Sequence, residues 1–578
     1  MSDRVLILYA TESGTAQHVA DRIFRQCNRI RVPSRVSNIA HYPLRNLVDE
    51  PLIIFVVSTT GSGLAPRSMN SLWQSLLRSD LPSDLFEDLR FAVFGLGDSA
   101  YEKFCWPAKK LVRRLETLGA EQLCPHGEAD DQDPLGIDGA LEPWLERTSI
   151  TLLRHFSLPL DLASESTPTL PPPRAVLVPS TAPLEPQVYP GNRLTTVKCN
   201  SRITSPDWNQ DVRHLEFEFD NPVEYRPGDV AVVRPIAPSA DVDALLERLG
   251  WLDAAEMRFS VEHQLPDLSL PEGLPSSVTL RDVFTHHLDF RAVPRRSFFL
   301  SLLHFTTDEL EVERLREFLS RDGADELYEY CFRVRRTIAE VLADFRQVQI
   351  PMDYIFDIFP PLRPREFSIA SSMKMHPQQV HLCVAIVKYR TKLKIPRRGV
   401  CTTYLSGLEA GDRVQLALKS GLITLPAENT PIICVGPGTG VAPMRAIIQE
   451  RIHSGAFDNT LYFGCRSAHK DQHYAEEWKS FAARGALSYR TAFSRDGPEG
   501  VARVYVQDLI AEDSQRIWDL LRVGATVFIS GSSNKMPAAI RSVLCAAVEK
   551  HGNRSPEDAV TFVSQMEDTG RLLEESWS

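Results

Sequence analysis

Val5-Leu6-Ile7-Leu8-Tyr9-Ala10-Thr11-Glu12-Ser13-Gly14-Thr15-Ala16 is the stretch whose reading decides the fold. The apolar run Val5–Tyr9 has the look of a short strand covered on both faces, as at the centre of a parallel sheet. It ends in a hydroxyl-rich loop that leads into a helical pattern. Thr11, Ser13 and Thr15 then stand at a helix N-terminus. Backbone N–H groups there, with the positive end of the helix dipole, favour a phosphate dianion. Gly14 lets the backbone come close, and Glu12 and Ala16 complete the loop.

Two further apolar runs end in the same way. Leu52–Ser58 runs into Ser58-Thr59-Thr60-Gly61, and Phe91–Gly95 into Gly95-Leu96-Gly97-Asp98-Ser99-Ala100-Tyr101. Helical patterns separate them. In residues 107–118, Ala108, Leu111, Val112, Leu115 and Leu118 share one face, and Lys109, Lys110, Arg113 and Arg114 form a solvated opposite face. Strands alternating with helices predict a doubly wound parallel sheet over residues 1–155. Its ligand belongs at the carboxyl ends of the strands, where the three loops fall. Tyr101 is placed to lay its ring on a flat aromatic ligand. The acidic run Glu128, Asp130, Asp131, Asp133 reads equally as a solvated loop or as a docking surface for a basic partner.

Residues 157–190 hold nine prolines, including Pro171-Pro172-Pro173. That composition reads as a linker, assigned to 156–192, with a mean span of about 30 Å if flexible. Strand-like patterns follow at Leu194–Cys199, His214–Phe219 and Asp229–Val233. Residues 238–352 turn helical, and strands return at Phe367–Ala370 and Val380–Val387. This predicts a small antiparallel β-barrel over 193–426 with a helical insertion. From 427 to 578 strand and helix alternate again, with strands at Ile432–Val435, Asn459–Gly464, Leu487–Phe493 and Thr526–Ser530. The chain has 578 residues, which suits about three or four domains. Its net charge of −11 argues against nucleic acid or an anionic membrane as the main partner. No apolar run reaches the roughly 18 residues of a membrane span, and no signal peptide is read. The cysteines form no C-x-x-C pair, so neither zinc nor a disulfide framework is indicated.

The three hydroxyl and glycine loops together resemble the flavodoxin-like FMN domain. The resemblance also assigns Leu96, Phe104, Cys105 and Asp131 to that site. Arg365-Glu366-Phe367-Ser368, with Gly399-Val400-Cys401-Thr402 downstream and Tyr225-Arg226-Pro227-Gly228-Asp229 upstream, resembles the FAD site of the ferredoxin–NADP reductase superfamily. It implies an arginine reaching FAD from the insertion, Arg333, and an aromatic near the adenine, Tyr389. Gly436-Pro437-Gly438-Thr439-Gly440 resembles the same superfamily's pyridine-nucleotide loop. Ser494, Arg495, Arg503, Tyr505 and Gln507 offer the hydroxyl and guanidinium donors that a 2′-phosphate wants, and so point to NADPH.

The whole chain outside the linker resembles the diflavin reductases, and within them a soluble, NADPH-dependent branch. The resemblance implies an enzyme passing electrons from NADPH through FAD to FMN. A nicotinamide delivers two electrons together, and flavins release them singly. It implies a catalytic set of Ser368, Ser530, Glu575 and Trp577, the last covering the FAD ring until nicotinamide displaces it. Ser530 stands where the family has Cys. It also implies a cytosolic protein whose acceptor is an anamorsin-type iron–sulfur protein, early in iron–sulfur protein assembly. A haem or sulfite-type acceptor and a non-catalytic scaffold are the competing readings. One departure stands out: Ser62-Gly63-Leu64-Ala65-Pro66-Arg67-Ser68 replaces an acid- and proline-rich family loop.

Overall fold

The computed structural model describes residues 4–61, 63–101, 103–163, 170–187, 189, 191–497, 503–532 and 535–577, with Trp577 as main chain alone. Ser62, Ser578 and the Trp577 side chain therefore lie outside the described residues. The chain forms two compact units, interleaved in sequence. One comprises Met1–Glu185, Asp243–Val283 and Leu288–Pro361, and the other Pro186–Val242, Phe284–His287 and Leu362–Ser578.

The first unit is built on a parallel sheet of β1 (Val5–Ala10), β2 (Ser34–Asn38), β3 (Leu52–Ser58), β4 (Arg90–Gly97), β5 (Glu121–Gln122) and β6 (Gly127–Asp130). The order is β2-β1-β3-β4-β5, with β6 also on β4. Side chains alternate across the sheet as period two requires. Val5, Ile7 and Tyr9 pack under α1 (Thr15–Arg29) with Val19, Ile23, Phe24 and Trp144. Leu6, Leu8 and Ala10 pack on the opposite face with Leu111, Val112 and Leu115 of the helix Trp106–Thr117. Each large apolar side chain so buried contributes about 1.5–3 kcal/mol, which is why both faces of β1 are apolar in sequence. This order puts the loops after β1, β3 and β4 along one edge, beside the point where strand order reverses.

The insertion belongs to the same unit. Its helices Arg296–Leu302 and Glu309–Leu319 pack around Phe299 and Phe318. It is not helical throughout: Arg258–His263 pairs with Ser277–Thr279 and with Ala175–Pro179 in a three-stranded antiparallel sheet. The last of these strands lies inside the span read as a linker. Proline content hid it, but Ala175 and Leu177 are buried while Val178 is exposed, the alternation of a half-covered strand. The strand is tethered by a compact ion cluster. Arg174 donates to Asp357 (3.1 Å) and Asp21 (3.1 Å), and Arg25 of α1 also pairs with Asp357.

In the second unit an antiparallel sheet contains β7 (Asn192–Arg202), β8 (Val212–Phe219), β9 (Val230–Val233), β10 (Arg365–Ser368), β11 (Gln379–Ala385) and β12 (Arg413–Lys419). Its order is β10-β9-β12-β7-β8-β11. An antiparallel bridge between Ile369 and Leu382, with Ala370 N–H donating to His381 O (2.8 Å), joins the first strand of that path to the last. A parallel sheet follows: β13 (Ile432–Val435), β14 (Asn459–Cys465), β15 (Ser488–Phe493), β16 (Thr526–Ser532) and β17 (Leu572–Trp577), in the order β15-β14-β13-β16-β17. The edge strand β17 does not stand out in sequence, because Leu572-Leu573 is followed by Glu574-Glu575-Ser576.

A polar seam joins the two sheets of this unit. Arg445, on the helix Val441–His453, donates to Ala370 O (2.6 Å) and Glu477 (2.7 Å), lies 3.3 Å from His381 Nδ1 and sits over the Tyr474 ring. His214, His376 and His381 gather beside it, and His214 Nδ1 lies 3.0 Å from Tyr474 OH. Burial first, then Arg445, holds the His214 and His376 pKa values below the usual imidazole range. Burial, His376, Arg445 and His214 bring His381 down to about 2. Among the described residues, His214, Glu216 and His381 could share a metal ion. The Arg445 guanidinium against His381 opposes a cation there.

Candidate functional site

At the end of β1, Gly14 adopts φ +88° and its N–H donates to Thr11 Oγ1 (2.8 Å). That turn points Ser13 and Thr15 the same way, with hydroxyls 3.4 Å apart, and starts α1 at Thr15. Ala16 is buried under the sheet. Glu12 bends back, its Oε1 accepting from Arg67 N–H (2.6 Å). The 62–68 segment that departs from the family is thereby tied to the first loop, and Thr60 and Leu64 form a bridge across it.

The second loop is fixed by main-chain bonds: Thr59 N–H donates to Leu96 O (2.9 Å), and Ser58 Oγ to Ala10 O (3.2 Å). Gly61 adopts φ +47°. Thr59 Oγ1 is buried and has no hydrogen-bond partner among the described residues. A buried hydroxyl left so is costly unless a ligand meets it, which fits a bound group in this crevice. The third loop is braced by carboxylates. Asp98 accepts from Ala100 N–H (2.8 Å), and Asp130 from Ser99 N–H (2.9 Å). Asp131 N–H donates to Gly97 O (2.9 Å), and Tyr101 N–H to Asp98 O (3.2 Å). Gly97 is obligatory here, because a Cβ would stand 2.9 Å from Cys105 N and 3.0 Å from the Phe104 ring. Burial pushes the Cys105 thiol up to about 12.

The acidic run is less available than its sequence suggests. Glu128 pairs with Lys109 (3.3 Å) and lies 3.1 Å from His126; Asp130 braces the third loop; and Asp133 accepts from Leu135 N–H (2.7 Å). Asp131 is exposed.

In the second unit, β10 carries Arg365, Glu366, Phe367 and Ser368 alongside β9. Arg365 is exposed and bonds the carbonyl of Arg363 (2.8 Å), and Glu366 pairs with Lys419 (2.7 Å). Gly399 opens the helix Val400–Ser406, and Thr402 Oγ1 accepts from Val387 N–H (3.1 Å). Cys401 is buried, and burial pushes its thiol up to about 12. Tyr389 sits 43% exposed on a hairpin opposite Arg397, open to stack on a ligand. Arg333 belongs to the first unit, where it pairs with Glu329.

Ser368, Ser530 and Glu575, far apart in sequence, come together. Ser368 Oγ donates to Glu575 Oε1 (2.9 Å), and Glu575 stands opposite Ser530 in the β16–β17 register. The Ser530 hydroxyl is fully buried, with no hydrogen-bond partner among the described residues. The glycine loop reaches the same place, since a Cβ on Gly440 would run into the Ser530 carbonyl. Gly438 takes φ +57°, and Thr439 and Gly440 lead into the helix Val441–His453. Trp577 pairs through its main chain with Ser532.

Past β15, Ser494 N–H donates to Cys465 O (3.0 Å) and Arg495 N–H to Arg466 O (2.8 Å). Arg503, Tyr505 and Gln507 follow; Arg503 is exposed and Tyr505 is 43% exposed. Arg466, whose carbonyl holds Arg495 in place, does not stand out in the sequence as part of this group. The available signal was an arginine directly after an apolar strand, β14, whose neighbour β15 ends at Ser494-Arg495.

Among the described residues no helix is long and apolar enough to cross a membrane. Three family profiles match the chain: flavodoxin over residues 7–144, an FAD binding domain over 187–404, and an oxidoreductase NAD-binding domain over 434–542. Proteins called NADPH-dependent diflavin oxidoreductase 1 align along essentially the whole length. The one from Bos taurus is 39% identical, covering 100% of both chains. That from Cryptococcus neoformans is 40% identical, covering 99% of this chain and 100% of its own. That from Schizosaccharomyces pombe is 34% identical, covering 100% of both.

Proposed function

The chain belongs to the NADPH-dependent diflavin oxidoreductase 1 family, and from that premise we propose a route from NADPH at Ser368, Ser530 and Glu575, through FAD and FMN, to an iron–sulfur acceptor. It is an NADPH-dependent oxidoreductase with FMN, FAD and NADPH as cofactors. Bound flavins accept an electron pair and release electrons singly. The observation that carries the route is the Ser368–Glu575 bond beside the buried Ser530 hydroxyl, next to the glycine loop.

In this reading Ser368 and Glu575 orient the nicotinamide, and the Glu575 carboxylate favours the positive charge that develops on it. Gly438, Thr439 and Gly440 cradle the pyrophosphate, and Ser494, Arg495, Arg503, Tyr505 and Gln507 hold the 2′-phosphate, joined by Arg466. Arg365, Thr402 and Tyr389 hold FAD, with Glu366, Phe367, Gly399, Val400 and Cys401 shaping its pocket; Trp577 covers its ring. The loops 11–16, 58–61 and 96–101, with Phe104, Cys105 and Asp131, hold FMN.

The acceptor is an anamorsin-type iron–sulfur protein in the cytosol, docking beside the FMN crevice. Exposed Asp131 and the net charge of −11 support a docking role for this edge. The test is anaerobic reduction by NADPH, then mixing with an oxidised anamorsin-type protein and, separately, with cytochrome c. Fast reduction of the iron–sulfur centre, slowed severalfold by Asp131→Asn, is the expected result. Reduction of cytochrome c alone would replace the acceptor with a haem-type one. Asp131 is the residue to change, because neutralising Asp130 would also release the third loop; as Asp131 also belongs to the FMN site, the slowing counts as docking only with FMN content and cytochrome c reduction unchanged.

A further inference from the structure

We propose that Arg295, carried by the insertion, is a cationic ligand of the FMN phosphate, so that FMN binding and the seating of the flavodoxin-like module on the insertion form one linked equilibrium. This rests on the reading of loop 11–16 as the phosphate site. Arg295 Nη2 donates to Thr15 Oγ1 (3.2 Å), the hydroxyl that opens α1 and neighbours Ser13 Oγ. Residues 11–21 contain no Lys or Arg and include two carboxylates, Glu12 and Asp21. A dianion at this loop meets main-chain donors and hydroxyls of the module itself, and its guanidinium comes from the insertion. The next cations along α1 are engaged elsewhere: Arg22 with Asp138 and Glu142, Arg25 with Asp357.

His18, one turn into α1, does not supply the charge. Burial and the Arg295 guanidinium hold its pKa well below the usual value, so it is neutral at neutral pH. It acts as a positioning residue, its Nε2 lying 3.3 Å from Ser297 Oγ and fixing the turn that presents Arg295. Arg296 is directed away, donating to the Phe318 carbonyl (2.9 Å) and to that of Leu319. Two adjacent arginines thus do different work, one bonding the insertion's own helix end and the other reaching the phosphate loop. Linkage is reciprocal: whatever affinity Arg295 adds for FMN, FMN adds to the seating of α1 against the insertion.

The test uses the full chain with FMN removed and FAD left in place. FMN and riboflavin, which lacks the phosphate, are titrated by flavin fluorescence into the wild type, Arg295→Ala and Arg295→Lys. Hydrogen exchange over residues 296–302 is followed with and without FMN. The proposal expects Arg295→Ala to weaken FMN tenfold or more, about 1.4 kcal/mol, to leave riboflavin within twofold, and Arg295→Lys to fall between. FMN should slow exchange at 296–302 in the wild type and not in Arg295→Ala. Equal losses for both flavins, or unchanged FMN affinity, would overturn the phosphate contact. An FMN-specific loss without the exchange effect would overturn the linkage. A wild type that does not prefer FMN to riboflavin would overturn the phosphate-loop reading itself.

Discussion

Two glycines three positions or fewer from one another in the nucleotide loop are constrained for different reasons. At Gly440 the obstacle is steric: a Cβ would collide with the Ser530 backbone, which cannot yield without moving β16 away from β13. At Gly438 no atom stands within 4 Å of a Cβ, and only the left-handed φ of +57° opposes a side chain, at about 1–2 kcal/mol. Gly440→Ala should therefore abolish NADPH-dependent flavin reduction with both flavins still bound. Gly438→Ala should lower it about tenfold. Stopped-flow reduction with a flavin content measurement checks both, and the reverse ranking would remove the close approach of loop and strand as the cause. The 2′-phosphate reading is tested at the same scale. Arg495→Ala should raise KM for NADPH at least tenfold and leave NADH within twofold, since a hydrogen bond to a charged group is worth about 1.5–3 kcal/mol.

At the scale of elements, the seam around Arg445 sets a pH response. His381 is buried with its folded pKa depressed to about 2, against an unfolded value near 6.5. Above the unfolded value neither state binds the proton and stability is at its plateau. As pH falls below about 6.5 the unfolded chain binds a proton that the fold refuses, and stability drops by up to about 1.4 kcal/mol per pH unit from this residue. His214 and His376 act in the same direction. Urea midpoints of the second unit should be level from pH 7 to 8 and fall towards pH 5, and His381→Gln should flatten the fall. Elements with buried, periodic faces were legible in sequence: β1, β3, β4, β13 and the helix Trp106–Thr117 lie within a few residues of where they were read. What was not legible is long-range. Ala175–Pro179 is a strand because Arg258–His263 pairs with it, and β17 is polar because its far end meets Ser368 rather than a core. The candidate site was legible as motifs. The meeting of Ser368, Ser530 and Glu575 was available only through family resemblance, because no local spacing encodes it. Nothing in the sequence placed Arg295 beside Thr15.

At the scale of the whole molecule, charge ties the first and last of the three stretches of chain that make up the first unit. Arg174 stands between Asp21 and Asp357, with side chains 14%, 10% and 12% exposed. Taking the guanidinium away leaves the buried Asp21 carboxylate without its ion partner and Asp357 with Arg25 alone, so Arg174→Ala should destabilise this unit by about 3 kcal/mol. Chemical denaturation monitored by FMN release measures it, and a change below about 1 kcal/mol would mean the cluster is dispensable.

The strand β17 has a consequence in time. Glu575 leaves the ribosome after every other residue assigned to the three cofactors except Trp577. A chain arrested between Gln507 and Leu572 already carries the FMN loops, Arg365–Ser368, Gly399–Thr402 and the glycine loop, yet lacks the carboxylate that faces Ser368. Such a polypeptide is expected to hold flavin without drawing on the cell's reducing power. Synthesis of β17 is then the step that arms the enzyme.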